Sequence, residues 1–494
     1  MQNLDPRTPV LVGIGIVEQK EKDPARAREA IELMSDAVRA AGADAGTATL
    51  LAGAERIYVP QGMWGYADPA RMIARAIGAT NASTVFAKVG VLQQTLIGDA
   101  CRRIAGGEIG SAIVVGGEAR YRHLLAEISG GQASETPCSD TPDETLIPQE
   151  ELQLPQEINS GLGYMPVGYY AMVESAWRAA HGWSVDEHRD RMAAMYSRFS
   201  EIAQDNPHAW KRARVAPDTI RNAAAGNPML AFPYTKLHNT SWNVDQAAAM
   251  LLCSAARAEA LGVPRKRWIF PRSSTESNHM LAMAQRPQLH RLPGARIAGL
   301  RALELAGLDS TQLDLVELYS CFPIAVELYA EELGIAADRD WTVTGGMPFA
   351  GGPLNNYVLQ SSCRMVELLR ERPGSSGLVS SVSGYLTKQG FGVWSTGPGP
   401  RGFGFADVSA EVAGKMQPLT VNAEANGDGR ICGYTVMYHK AERVCAVALL
   451  DMSDGTRSVA NSRDEALLAR MESEEFCGRR VHAADGCFGL APGA

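Results

Sequence analysis

Apolar positions along the chain follow two rhythms. Short unbroken apolar runs read as buried strands: VLVGIGIV (10–17), RIYVP (57–60 at its core), SAIVVGG (111–117), DLVELYS (314–320) and GLVSSVSG (377–384). Spacings of three and four read as helices. One covers about 24–41, with Ile31, Met34, Val38 and Ala41 on one face and Gly42 at the C-cap. Others cover 69–78, about 91–105, the alanine-rich 244–262, the stretch up to Gly334, and about 354–370, while AKVG (87–90) reads as a turn.

The series runs twice. Each half offers a strand, a helix, a glycine-containing turn, a long helix and a buried strand, with AKVG–VLQQ matching AGGP–LNN. Such a repeat fixes an α/β architecture of two similar halves. Residues 120–240 break the rhythm with the Pro- and Asp-rich stretch 134–157 and helical runs such as YYAMVESAWRAAHG (169–182), and read as an insertion. After TGPGPRGFGF (396–405), short alternating segments with NGDG and SDG turns predict a small antiparallel barrel or sandwich, with one helix over 464–473. The expected units are 1–240, including the insertion, then 241–398 and 406–494.

Composition narrows the function classes. With 494 residues, 46% hydrophobic and 21% charged, the chain can bury a large core. Its net charge of −8 and the lack of any cluster of five or more Lys/Arg make nucleic acid a poor partner. Nine scattered cysteines without a C-x-x-C give neither a disulfide framework nor a cysteine zinc site, and fit a reducing cytoplasm. No stretch of roughly 18 apolar residues predicts a membrane span, and MQNLDPRTPVLVGIG has no leader pattern. LVGIGIVEQ has G-x-G without the third glycine of a dinucleotide site, and the P-loop, H-E-x-x-H and G-x-S-x-G patterns do not occur.

Several strings in order resemble the thiolase superfamily over roughly residues 8–395. They are GEIGSAIVVGGEA (107–119), NVDQAAAMLLCSAARAEALG (243–262), DLVELYSCFPIAVELYAEELGI (314–335) and GGMPFAGGPLNN (345–356). YTKLHNTSWNVDQAAA (234–249), SGYLTKQGFGVWS (383–395) and the small C-terminal β-unit resemble the type 1 thiolase-like proteins, relatives of the sterol-carrier-protein thiolases. The resemblance implies a thiolase fold, with duplicated βαβαβ halves in αβαβα layers, plus a C-terminal antiparallel β-barrel. It also implies acyl-CoA handling and lipid metabolism in an acetyl-CoA acetyltransferase family.

Thiolase chemistry needs a nucleophilic Cys at a helix N-terminus, a second Cys as acid/base, and a His with an Asn-held water as oxyanion hole. Carried over by position, the nucleophile falls at or beside Gly90, the His at Gly352, the Asn at Tyr319, and the second Cys at Ser381 or Val382. All four functions are missing or altered, so neither Claisen condensation nor thiolysis is expected. Glycine at two of these places would widen a pocket between the halves.

The remaining candidates are weighed against ordinary packing roles. Tyr319 ends a strand where ligand-facing residues gather, and its phenol can serve as acid/base. Cys321 sits near a helix start that would lower its pKa, or is a small packing residue. His238, in KLHNTSW, can polarise a carbonyl or tie down a loop. Tyr385 flanks the site, Tyr357 opens the 354–370 helix, and Lys388 can meet a CoA phosphate or be solvated. Catalytic candidates are therefore His238, Tyr319, Cys321 and Tyr385; binding candidates are Gly90, Gly352, Tyr357, Ser381 and Lys388. No tightly bound cofactor or metal is expected, only a coenzyme A thioester as ligand, on a monomer or homodimer. Three functions stay open: a rewired acyl-CoA transferase, a retro-aldol lyase on a β-hydroxyacyl-CoA, and a non-catalytic acyl-CoA-binding or interaction protein.

Overall fold

The computed structural model describes residues 4–148 and 152–491. Residues 149–151 of the Pro-rich stretch and the first three of the N-terminal string lie outside the described residues.

The buried runs build two core sheets. The first has the order β1 (Pro9–Gln19), β8 (Asp245–Ser254), β4 (Ser111–Ala119), β2 (Arg56–Pro60), β3 (Ser83–Ala87) and β5 (Glu144–Leu146). The second has β10 (Leu315–Glu317), β11 (Ser376–Ser383), β12 (Lys388–Ser395), β9 (Phe270–Ser277) and β13 (Gly404–Asp407). The repeat is visible in strand direction. From β2 through β4 and β8 to β1 the pairings run parallel, antiparallel, antiparallel. From β10 through β11 and β12 to β9 they run the same way. Helices Gln93–Gly106 and Tyr357–Arg370 lie between the two sheets, Ala30–Ala45 covers the outer face of the first, and Pro293–Ala306 that of the second. The layers are αβαβα.

The structure corrects two local readings and adds two. The alanine-rich run 244–262 is mostly the strand β8, with helix confined to Ala255–Ala260. Helix propensity favours alanine by less than about 1 kcal/mol per residue over most residues, and a strand slot between β1 and β4 outweighs that. The small side chains let Ala30–Ala45 approach one face through Ala247 and Ala249, while Ala248 faces the central layer. The first helix starts at Ala30, not 24, and runs to Ala45, where Gly46 caps it at φ +78°. Gly42 instead lies against Leu51. Residues 83–87, before the turn, form β3. Gly13 and Gly15 have a packing role: a Cβ on either would stand 2.1 Å from Ala41 O or 1.9 Å from Ala37 O.

The C-terminal unit is a closed barrel. Strands β14 (Gly427–His439), β15 (Glu442–Met452), β16 (Arg457–Ser462), β18 (Cys487–Leu490) and β17 (Arg480–Ala484) follow one another around it, and β15 pairs back onto β14. It is antiparallel except at β16–β18, which pair in parallel through Asn461 and Cys487. Helix Glu465–Met471 separates the third and fourth strands. This connectivity is that of the five-stranded OB barrel. PLTVNAE, read as a strand, contributes only an isolated bridge between Val421 and Arg457.

The stretch read as an insertion joins both ends of the molecule. β5 lies on the edge of the first sheet beside β3. β6 (Met229–Ala231) and β7 (Tyr234–Thr235) extend the barrel sheet from β14. Helix Pro166–Ala180, buried nearly all round, runs beneath the barrel. There Ser175 Oγ accepts from Tyr434 N at 2.8 Å, and Arg178 donates to Tyr434 Oη at 2.7 Å and to Glu475 at 2.8 Å.

Candidate functional site

Four segments meet where the two central helices begin. Gly90 precedes helix Gln93–Gly106. Its carbonyl accepts from Lys388 Nζ at 2.6 Å and from Ser383 Oγ at 3.2 Å. Gln93 accepts from Val358 N at 2.7 Å, tying that helix to the start of Tyr357–Arg370. Tyr319 N donates to Ser380 Oγ at 2.8 Å, and Met347 N donates to Ser320 Oγ at 2.9 Å. Gly352 N donates to Ser241 O at 3.0 Å, and Thr240 Oγ1 donates to Cys321 O at 3.3 Å. A chain of contacts thus links the neighbourhoods of Gly90, Ser381, Tyr319 and Gly352.

The glycines do not open space here. Gly90 has φ +101°, and a Cβ on it would lie 3.0 Å from Pro148 Cγ. A Cβ on Gly352 would lie 2.1 Å from Thr240 Cγ2 and 2.9 Å from Met347 Cε. Threonine, methionine and proline fill the volume that the sequence reading left empty. Ser381 is buried, and its hydroxyl has no partner among the described residues. Its carbonyl accepts from Tyr329 Oη at 3.1 Å.

Lys388 also departs from expectation. It is 2% exposed and bonds the Gly90 carbonyl, so it is placed neither to be solvated nor to meet a phosphate at the surface. Burial pulls its ammonium below the usual lysine range, and the Glu276 carboxylate opposes that shift.

Tyr319 is buried, its ring edge-on to Tyr357 at 5.5 Å. Burial raises its phenol well above the ordinary range. Tyr357 is committed elsewhere, donating to Glu317 Oε1 at 2.6 Å with Thr344 Oγ1 at 2.7 Å. Glu317 also accepts from the backbone N–H groups of Val343 and Thr344, which fixes the loop leading to Gly352. Tyr385 flanks the site only as packing: its ring stacks on Tyr169 at 4.8 Å and its hydroxyl donates to Tyr164 O at 2.7 Å.

Cys321 is not an activated thiol. It precedes helix Pro323–Leu333, yet burial pushes it up to about 12. Desolvation of a thiolate outweighs the partial charge at a helix start. All nine cysteines are free, and Cys487 is the exposed one. An aromatic disulfide reagent added to native protein is expected to label Cys487 in its fast phase. Cys487→Ser should remove that phase; fast labelling of Cys321 in the variant would refute the burial reading.

His238 closes a short turn, where its Nδ1 accepts from Thr235 N at 3.2 Å. The ring proton therefore sits on Nε2, which is buried without a partner among the described residues. Burial pulls the pKa down to about 3 from 6.5. Between those values the unfolded chain holds a proton that the folded chain lacks. Stability should therefore fall as pH drops from 6.5 toward 3, by up to about 1.4 kcal/mol per pH unit. His238→Gln is expected to flatten that limb in urea titrations; parallel wild-type and variant curves would contradict it.

Sequence reading missed a second cluster. Glu174 on helix Pro166–Ala180, His188 on helix Val185–Asp205 and Glu327 on helix Pro323–Leu333 are all buried, with one donor atom from each within 4.8 Å of the others. His188 Nε2 lies 2.6 Å from Glu174 Oε1, and the hydroxyl of Tyr234 donates to Glu174 Oε2. The available signal was two acidic residues at otherwise apolar positions, in YYAMVESAW and PIAVELYAEEL.

No protein-family model matches the chain. Two acetyl-CoA acetyltransferases are similar to parts of it. The one from Methanocaldococcus jannaschii is 26% identical over 165 residues, 33% of this chain and 40% of that protein. The one from Methanothermobacter thermautotrophicus is 26% identical over 237 residues, 44% of this chain and 58% of that protein. The chain spans about half the length of these curated relatives. Among solved structures, a monomeric SCP2-thiolase like protein type 1 from Mycobacterium smegmatis superposes with a TM-score of 0.83 at 27% identity, covering 99% of this chain and 100% of that one. An Ltp2-ChsH2(DUF35) aldolase superposes with a TM-score of 0.58 at 16% identity, covering 80% of this chain and 99% of that one. Doubled sheets, paired central helices and a closed C-terminal barrel give the chain a thiolase-like fold, similar along its whole length to that of the type 1 SCP2-thiolase like protein.

Proposed function

We propose that this protein binds coenzyme A thioesters without performing Claisen condensation or thiolysis. The observation that carries this reading is the set Gly90, Tyr319, Gly352 and Ser381 at the places where thiolase chemistry needs its thiols, imidazole and amide. No thiol activated by its surroundings stands near them, since Cys321 is pushed up to about 12. Without a nucleophile there is no acyl-enzyme, and without the oxyanion donors the enolate gains no stabilisation.

Titration calorimetry with CoA and long-chain acyl-CoA, beside a thiolysis assay on 3-ketoacyl-CoA, tests it. Binding without cleavage is expected. Thiolytic turnover, or no binding of any CoA compound, defeats the proposal.

A second reading, a retro-aldol lyase on a β-hydroxyacyl-CoA, is favoured by Tyr319. Its backbone is held by Ser380, while among the described residues no side-chain hydrogen bond engages its hydroxyl. A free phenol at this place can take or give the proton of a β-hydroxyl. Tyr319→Phe should abolish β-hydroxyacyl-CoA cleavage if that reading holds. Cleavage that persists in the variant removes it.

A further inference from the structure

The cluster below the candidate site presents a chemistry that site does not use. Glu174, His188 and Glu327 come from three helices, of which Pro166–Ala180 packs against the barrel strand β14 and Pro323–Leu333 packs on Pro166–Ala180, and each residue is less than 10% exposed. No lysine or arginine hydrogen-bonds to either carboxylate among the described residues. One oxygen of Glu174 is held by Tyr234, which fixes the direction of the other. Oε2 of Glu327 is buried and, among the described residues, no N–H or hydroxyl donor meets it, only the neighbouring Glu174 carboxyl. His238, 1% exposed, stands at the wall of the cluster, its ring 6.0 Å from that of Tyr234 and 5.9 Å from that of Tyr196. With Nδ1 turned toward Thr235, its unpartnered Nε2–H points away from its own turn.

We infer that Glu174, His188 and Glu327 form a structural site for one divalent transition-metal ion, with Tyr234 as the outer partner that orients Glu174. The ligand atoms are one imidazole nitrogen and two carboxylate oxygens. Two carboxylates, a neutral imidazole and a divalent cation sum to zero charge, the state a dehydrated core tolerates best. A mixed nitrogen–oxygen set suits Zn²⁺ or Mn²⁺, and zinc is the tighter binder in the divalent series. At Zn–ligand distances near 2.0 Å, tetrahedral ligand atoms stand roughly 3.3 Å apart. The 2.6 Å contact between His188 Nε2 and Glu174 Oε1 then has to open by under about 1 Å to admit the ion. The ion would pin three helices at one point: one carrying the barrel, one opening just after Cys321 of the candidate site, and the helix between Ser184 and Asn206.

The test is metal content of the full-length chain refolded from denaturant with excess Zn²⁺ and then gel-filtered. About one zinc per chain is expected in the wild type. Glu327→Gln, which keeps the side-chain shape, should cut the retained metal about ten-fold or more, because even an outer-shell change costs 10–100-fold in affinity. Cys487→Ser should retain it all. Wild-type content below about a tenth of an ion per chain, or equal content in folded Glu327→Gln, overturns the site. Should Glu327→Gln fail to refold, wild type refolded with Co²⁺ decides. Visible d–d bands without thiolate charge transfer support the site. A cysteine-to-cobalt charge-transfer band, or no bands, refutes it.

Discussion

A Gly352→His variant, which restores the imidazole that thiolases carry at this place, is expected to lose about 3 kcal/mol or more of stability and to gain no thiolysis. Position 352 is buried, and its first side-chain carbon would stand 2.1 Å from Thr240 Cγ2 and 2.9 Å from Met347 Cε. Both neighbours are fixed: Thr240 donates to Cys321 O at 3.3 Å, and Met347 N is bonded to Ser320 Oγ at 2.9 Å. Overpacking by a single methyl in such surroundings costs about 1–3 kcal/mol, and an imidazole adds far more volume. The milder Gly352→Ala should fall in that lower range. Thr240→Ser removes the clashing methyl and keeps the hydroxyl, so the pair Gly352→Ala/Thr240→Ser should recover most of the loss. Chemical denaturation of the four proteins measures the coupling. If the two losses simply add, the contact is not the cause.

The second large effect is expected from ending the chain at residue 420, which keeps β13 in the second core sheet and removes the barrel. The missing barrel would uncover the face of helix Pro166–Ala180 that carries Ser175 and Arg178 and strip Arg178 of Tyr434 and Glu475. It would also leave β6 without β14 and deprive the carbonyl of Arg286 of its bond from Arg457, 3.2 Å away. Apolar surface of this kind costs about 25 cal/mol per Å² when exposed. The truncated chain should aggregate, and co-expression of residues 421–494 as a separate chain should rescue soluble protein. A soluble 1–420 fragment with one sharp thermal transition would mean that the barrel is an appendage.

Much of the core was legible from the amino acids because buried parallel strands are apolar throughout. SAIVVGG, RIYVP and GLVSSVSG become β4, β2 and β11. The alanine run 247–249 was not, because propensity and periodicity give the same answer for a buried helix and for a central strand lined by small residues. Position between β1 and β4 settles it, and that is a long-range fact. The candidate site divides along the same line. Residue types at Gly90, Tyr319, Gly352 and Ser381 could be read from aligned motifs. The filling of the pocket by Thr240, Met347 and Pro148 could not, nor the inward turn of Lys388, since each depends on segments far apart in the chain. The buried Glu174–His188–Glu327 cluster was hidden for the further reason that its first two members lie in a stretch that looks like an insertion.

β5 has a consequence for handling and redesign. Only three residues long, it lays the chain's own backbone along the outer edge of the first sheet, and Glu144 anchors it to Arg56. A strand edge left bare is adhesive, since its row of free amides and carbonyls accepts any passing extended segment. Here that row on β3 is blunted by a short, charged clip. Loop grafting, protease nicking or tag insertion near residues 144–146 would unclip it and make a well-behaved molecule sticky.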